Sequence, residues 1–155
     1  ANGAWLSTVE ENLLSGEETG SVFYFGTQPN KPTANVEKRA IGTDIWALVL
    51  MSGTVPERVS TWFEMWQRNL VYGEEDAYVQ VGPREPEEEN STNELATAWA
   101  YCLAKELGQT DRAEKLRRFL SPKIEEGFEV DPYITGLFLL GERLEKGAFH
   151  RLIYG

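Results

Sequence analysis

The sequence holds one cysteine, Cys102, and one histidine, His150. A single cysteine excludes an intrachain disulfide, a CxxC redox pair and any multi-cysteine zinc site. A single histidine excludes a histidine-based metal cluster within the chain. Walker, GxGxxG, HExxH, GxSxG and EF-hand spacings are missing, so no nucleotide, flavin, nicotinamide or metal cofactor is expected. No apolar run reaches the roughly 18 residues of a membrane span, and no signal-like segment is read at the start. Cations are scarce too: 15 Lys and Arg stand against 25 Asp and Glu, for a formal charge of −10. Such a field opposes nucleic acid and anionic membranes, and neither is expected as a partner.

What remains suits one globular domain of 155 residues with a real core, 41% hydrophobic and 26% charged. Aromatic residues reach 12% and include five Trp, which is high. Four of the 25 acids cluster in PREPEEEN, at Glu85, Glu87, Glu88 and Glu89. Its plain reading is a solvated loop, its alternative a cation site. Asn90-Ser91-Thr92 is a glycosylation sequon, so a secretory and a cytoplasmic location both stay open. The start at Ala1 rather than Met implies processing, an engineered boundary or a fragment.

Helical patterns dominate. The run IWALVLM from Ile45 to Met51 has almost no polar face. Thr54 to Pro56 then opens a helix to about residue 71, with Val59, Trp62, Phe63, Trp66 and Leu70 on one stripe. Leu95, Ala98, Trp99, Cys102, Leu103 and Leu107 have the spacing of an amphipathic helix. Ser91 and Glu94 offer a capping box at its start, and Gly108 a stop. The next helix is expected from Asp111 to just before Ser121-Pro122. Asp131-Pro132 offers an N-cap and a first-turn proline for PYITGLFLLGERLEKG, which is apolar on nearly every face until Glu142. A further helix is read near Trp5 to Leu14, and a long loop from Thr27 to Ala34. SVFYFGTQ (Ser21 to Gln28) and AYVQV (Ala77 to Val81) could be extended, but each is too isolated to form a sheet core.

A helix that is apolar on all sides must be covered on all sides. Alternation of such helices with one-faced ones fits two concentric layers, so the expected fold is all-α. It would be part of an α/α toroid of helical hairpins with short extended connections. The alternative is an orthogonal bundle around one central helix.

The pattern D-x-W-A in Asp44-Ile45-Trp46-Ala47, followed by Pro56-Glu57-Arg58-Val59, resembles the linalool dehydratase/isomerase-like proteins. So does Ala104-Lys105-Glu106-Leu107-Gly108, followed by Ile124-Glu125-Glu126-Gly127-Phe128 and a Gly- and Leu-rich helix. The resemblance runs from about Gly42 to Tyr154 and implies an α/α toroid and a cofactor-free enzyme of terpenoid or natural-product chemistry. A closed toroid needs roughly twice this length, so the match is to a C-terminal half, residues 1–155 forming a single domain. The family's Cys and His active-site groups map onto no residue here.

Candidate chemistry lies at the starts of the inner helices, which face the mouth of a toroid. Asp44 beside Trp46 could be a general acid or base, its pKa raised by an apolar cavity; as an Asp opening a helix it could equally be the N-cap. Glu126, with Glu125, could join it or be a surface acid. Phe23, Tyr24 and Phe25 could wall an apolar pocket, face a carbocation or pack as core. Trp46 and Tyr133 could also touch substrate, the phenol bonding a substrate oxygen. Cys102 reads as a buried structural thiol, and His150 as a surface or packing residue.

The leading function is a cofactor-independent lyase or isomerase. It would act on a small apolar terpenoid-like substrate by proton-transfer dehydration, isomerisation or cyclisation. Two others stay open: a carbohydrate-active toroid with paired carboxylates, and a non-catalytic helical binding protein. Two or three hairpins cannot surround a lumen, so a second polypeptide or a homo-oligomer is expected to complete it.

Overall fold

The computed structural model describes residues 41–80, 92–126 and 131–155, with the backbone alone for residues 41–44, 65 and 68. The helix expected near Trp5, the loop at Thr27 to Ala34, the segment SVFYFGTQ and the acidic run PREPEEEN lie outside them.

The described fold is mostly helical. Six helices run in order: α1 (Ile41–Ser52), α2 (Pro56–Trp66), α3 (Glu94–Glu106), α4 (Thr110–Glu125), α5 (Pro132–Arg143) and α6 (Ala148–Tyr154). Between α2 and α3 come a 3-10 turn (Gln67–Asn69) and two short strands, β1 (Leu70–Tyr72) and β2 (Ala77–Val79). The strands pair antiparallel with Leu70 opposite Val79 and Tyr72 opposite Ala77. Ala77–Val79, within the AYVQV segment read as one that could be extended, is thus a strand, and its partner LVY is the segment read as the end of a helix. Asn69 explains the change. It is buried, its Nδ2 donates 2.9 Å to the Trp66 carbonyl, and the chain then leaves the helix for a strand that packs Leu70 inward.

The central element is α3, which packs against α1, α4, α5 and β2. Every residue from Ala96 to Ala104 is buried, as is Glu106, whereas Leu95 is 38% exposed. The amphipathic stripe read for this helix is therefore corrected. Between Ala96 and Ala104 the positions off that stripe are Ala96, Thr97, Ala100, Tyr101 and Ala104, none of them charged, so neighbours can close on every side there. Asn93 caps the helix, its side chain accepting 3.0 Å from the Ala96 N–H, so the expected Ser91 box is replaced by a cap two residues later. At the other end Gly108 has φ +73°. The Gly108 N–H bonds the Lys105 carbonyl and the Gln109 N–H the Ala104 carbonyl, a Schellman ending of the kind glycine favours.

α4 runs through Pro122 instead of stopping before it. The proline forfeits one bond to the residue 118 carbonyl, and both Pro122 and Arg118 lie on the exposed side near the helix end, where water can replace it. Asp131 and Pro132 open α5 as the sequence indicates, with Asp131 accepting 2.8 Å from the Tyr133 N–H. α5 buries Ile134, Leu137, Phe138 and Gly141 on one side and exposes Tyr133, Leu139 and Leu140 on the other. α1 is buried at Ile45, Leu48, Val49, Met51 and Ser52 and exposes Trp46 and Leu50, one turn apart. No helix among the described residues is long and apolar enough to cross a membrane.

Candidate functional site

The residues singled out from sequence fall in several places. Asp44 is the fourth described residue of α1 and so lies within the helix, not at its cap. The capping role is therefore corrected. Trp46 is 45% exposed on the same helix. Tyr133, 52% exposed, sets its ring against the edge of Trp99 at 6.2 Å. Glu125 ends α4 and accepts 3.1 Å from the Ser121 hydroxyl; Glu126 is the exposed C-cap. The helix expected to stop before Ser121-Pro122 thus extends to these two acids, which end it. Phe23, Tyr24 and Phe25 lie outside the described residues.

Cys102 is buried, with Sγ 3.2 Å from the Leu137 carbonyl, and burial pushes its thiol up to about 12. A thiol held protonated is neither nucleophile nor metal ligand at neutral pH. His150 is exposed, with Nδ1 2.9 Å from the Gly53 carbonyl and its ring 4.8 Å from that of Tyr154. Among the described residues no group of three or more His, Cys, Asp or Glu could hold a metal ion.

A concavity among the described residues lies elsewhere. It is a groove of about 490 Å³ between the C-terminal half of α3, the first turns of α4 and the end of α5. Tyr101, Arg117 and Glu142 meet there, with Lys105 and Lys146 on the rim. The Tyr101 hydroxyl donates 2.5 Å to Glu142 Oε1, and Arg117 Nε donates 2.8 Å to the same oxygen. Tyr101 is 1% exposed and stacks on Phe138 at 5.7 Å between centroids. That packing needs a glycine, because a Cβ at Gly141 would lie 2.5 Å from Tyr101 Cε1.

The electrostatics follow from this geometry. Burial, then the hydrogen bond to Glu142, pushes the Tyr101 phenol well above its ordinary range. The bond from Tyr101, with Arg117 beside it, holds the Glu142 carboxyl low despite some burial. Bonding to Glu142 in turn raises Arg117. At neutral pH the group is a neutral phenol and a guanidinium sharing one carboxylate, and each donor is already committed. This arrangement ties α3, α4 and α5 together; it is poorly suited to abstracting a proton.

A second cluster is equally committed. Arg112 lies 4.9 Å over the Phe63 ring and donates to Glu64, Gln67, Tyr72 and Gln109, fastening α4 to α2 and β1. Sequence reasoning missed both clusters because the bonds that join different elements in them, such as Tyr101–Glu142, Arg117–Glu142 and Arg112–Glu64, span 25 to 48 positions. One signal was present: a tyrosine among alanines on a helix with no charge from Ala96 to Ala104. No family model and no curated protein matches the chain.

Proposed function

We propose that this chain supplies one wall of an apolar cavity in a cofactor-independent enzyme. Its substrate would be a small terpenoid-like molecule, and its chemistry a dehydration, isomerisation or cyclisation by proton transfer. The observation that carries this reading is the set of exposed apolar side chains on α1 and α5, beside others on β1 (Tyr72), α3 (Leu95) and α6 (Leu152, Ile153, Tyr154). Trp46 and Leu50 on α1, with Tyr133, Leu139 and Leu140 on α5, are each 40% exposed or more. These are the two helices whose sequences have almost no polar face. Side chains of this kind shape and desolvate a hydrocarbon but bond few hydroxyls, which favours a terpenoid over a sugar. The wall is completed by a second polypeptide or a second copy, in the manner of an α/α toroid. Asp44, on α1 two residues before Trp46, is the proton carrier in this scheme.

Asp44→Asn tests the assignment. The substitution removes a titratable proton while keeping size and polarity. The melting temperature should therefore change little, and conversion of terpenoid alcohols, followed by product analysis, should disappear. Full turnover in Asp44→Asn rules out the role of Asp44.

A second reading, a non-catalytic helical binding module, draws support from the two polar clusters, whose groups are spent on holding helices together. A thermal-shift screen separates the readings. Stabilisation by terpenoid alcohols with product formation supports the enzyme, stabilisation without product supports the binding module, and stabilisation by oligosaccharides alone defeats the terpenoid enzyme.

A further inference from the structure

Glu106, at the end of α3, is the one buried charged side chain among the described residues, 3% exposed. Both of its carboxylate oxygens lie 3.1 Å from a single donor, the backbone N–H of Phe149. Its own carbonyl accepts 2.9 Å from the Gly147 N–H. Residue 106 therefore grips the start of α6 twice, once by side chain and once by backbone.

α6 needs that grip. It has seven residues, too few to be stable as an isolated helix. It buries no residue completely, and Leu152 is 82% exposed. Its N-cap is Gly147, at φ +72°, which has no side chain to accept a first-turn N–H. The Glu106 carboxylate takes the capping role from a different helix, at the end where a negative charge is favoured. Farther along, His150 Nδ1 reaches the Gly53 carbonyl. Phe149 and Ile153 close over Gly53, so tightly that a Cβ there would lie 2.5 Å from Ile153 Cδ1 and 3.2 Å from the Phe149 carbonyl oxygen. Gly53 stands in the turn joining α1 to α2.

We infer that α6 is a latch: a conditionally folded strap that Glu106 caps and docks over the α1–α2 turn, and that opens as a unit while the rest of the bundle stays folded. Elements with few buried contacts and borrowed caps open at low free energy. Opening bares the Gly53 turn, and Glu106 gains water at the same moment. Glu106 is a positioning residue in this device and needs no substrate to act.

Native-state hydrogen exchange on the full chain, read by mass spectrometry in low denaturant, tests the latch without any variant. Amides of residues 148–154 should exchange through a local opening insensitive to denaturant, while those of α3 and α4 exchange through the denaturant-sensitive global one. Exchange of α6 at the global rate overturns the inference. Two substitutions then locate the tie. Glu106→Ala leaves the Phe149 N–H without its acceptor, which should speed α6 exchange about tenfold or more with α3 and α4 little changed. Glu106→Gln, which still offers an oxygen, should stay near wild type. Gly53→Ala should also speed α6 exchange, by pushing Ile153 outward. Equal acceleration across the whole chain in Glu106→Ala shows a core role for Glu106 and defeats the latch.

Discussion

Tyr101 loses almost all its water in the bundle, yet its hydroxyl ends on a carboxylate whose side chain keeps 34% of its exposure. Tyr101→Phe removes the hydroxyl and leaves the ring stacked on Phe138. A hydrogen bond to a charged acceptor is worth roughly 1.5–3 kcal/mol when buried, and a partly wet acceptor lowers that to about 1 kcal/mol. Urea unfolding should show a loss near that size. The pH dependence is more specific. The Glu142 carboxyl is lowered in the fold, so its contribution is present above the ordinary carboxylate range and is lost as pH falls through the folded value. The Tyr101 phenol is raised, so its contribution is complete below the ordinary phenol range, about pH 10, and is lost as pH rises beyond it. The urea midpoint of the wild type should therefore decline on both sides of a plateau, and Tyr101→Phe should flatten the alkaline decline. An unchanged alkaline limb in the variant contradicts this account. None of this was legible residue by residue. Tyr101 and Glu142 are 41 positions apart, and no local pattern reports a pair that topology alone creates.

At the scale of elements, α5 carries two interior glycines that look alike in sequence and should behave oppositely. Gly141 faces Tyr101, and an added methyl collides with a buried ring that has nowhere to go. Gly136 is exposed and meets nothing within 4 Å. Gly141→Ala should cost about 1–3 kcal/mol by overpacking. Gly136→Ala should stabilise by about 0.5–1 kcal/mol, because alanine loses less backbone entropy in a helix interior. Equilibrium unfolding of the two variants checks the opposed signs, and equal signs reject the packing assigned to Tyr101. Local chemistry otherwise served the element reading well. Gly108 stops α3 and Asp131-Pro132 opens α5, because a left-handed φ and an Asp before Pro are nearly self-sufficient signals. Errors came where tertiary contacts outweigh propensity. Leu70–Tyr72 leaves a helical pattern to pair with Ala77–Val79, and α4 passes through Pro122 because the lost bond falls on a wet face. The stripe on α3 was too narrow a reading because the residues off it between Ala96 and Ala104 are uncharged, and neighbours can surround such a stretch.

At the scale of the whole molecule, the two near-apolar helices of the sequence are each covered on one side and bare on another. α1 shows Trp46 at 45% and Leu50 at 58%, while α5 shows Tyr133 at 52%, Leu139 at 55% and Leu140 at 40%. Each buried Å² of such surface favours association by roughly 25 cal/mol, before the costs of lost freedom. Opposing this is the net charge of −10, which repels a second copy of the same chain. These two terms respond differently to salt, and that separates the two partners the proposed cavity allows. Added salt screens the repulsion between copies but leaves the apolar gain, so a homo-oligomer should grow with ionic strength. A partner carrying complementary charge should instead bind more weakly as salt rises. Light scattering on the isolated chain should report a mass above one chain in moderate salt if the wall is closed by a copy. The double substitution Leu50→Glu and Leu139→Glu should return it to one chain with an unchanged helical far-UV spectrum, since both positions are exposed and their turns are held from the other side. A single-chain mass at every salt concentration, together with turnover of terpenoid alcohols by that monomer, would defeat the shared cavity. It would place any substrate site within one chain, where Trp46 and Tyr133 must then be tested one at a time.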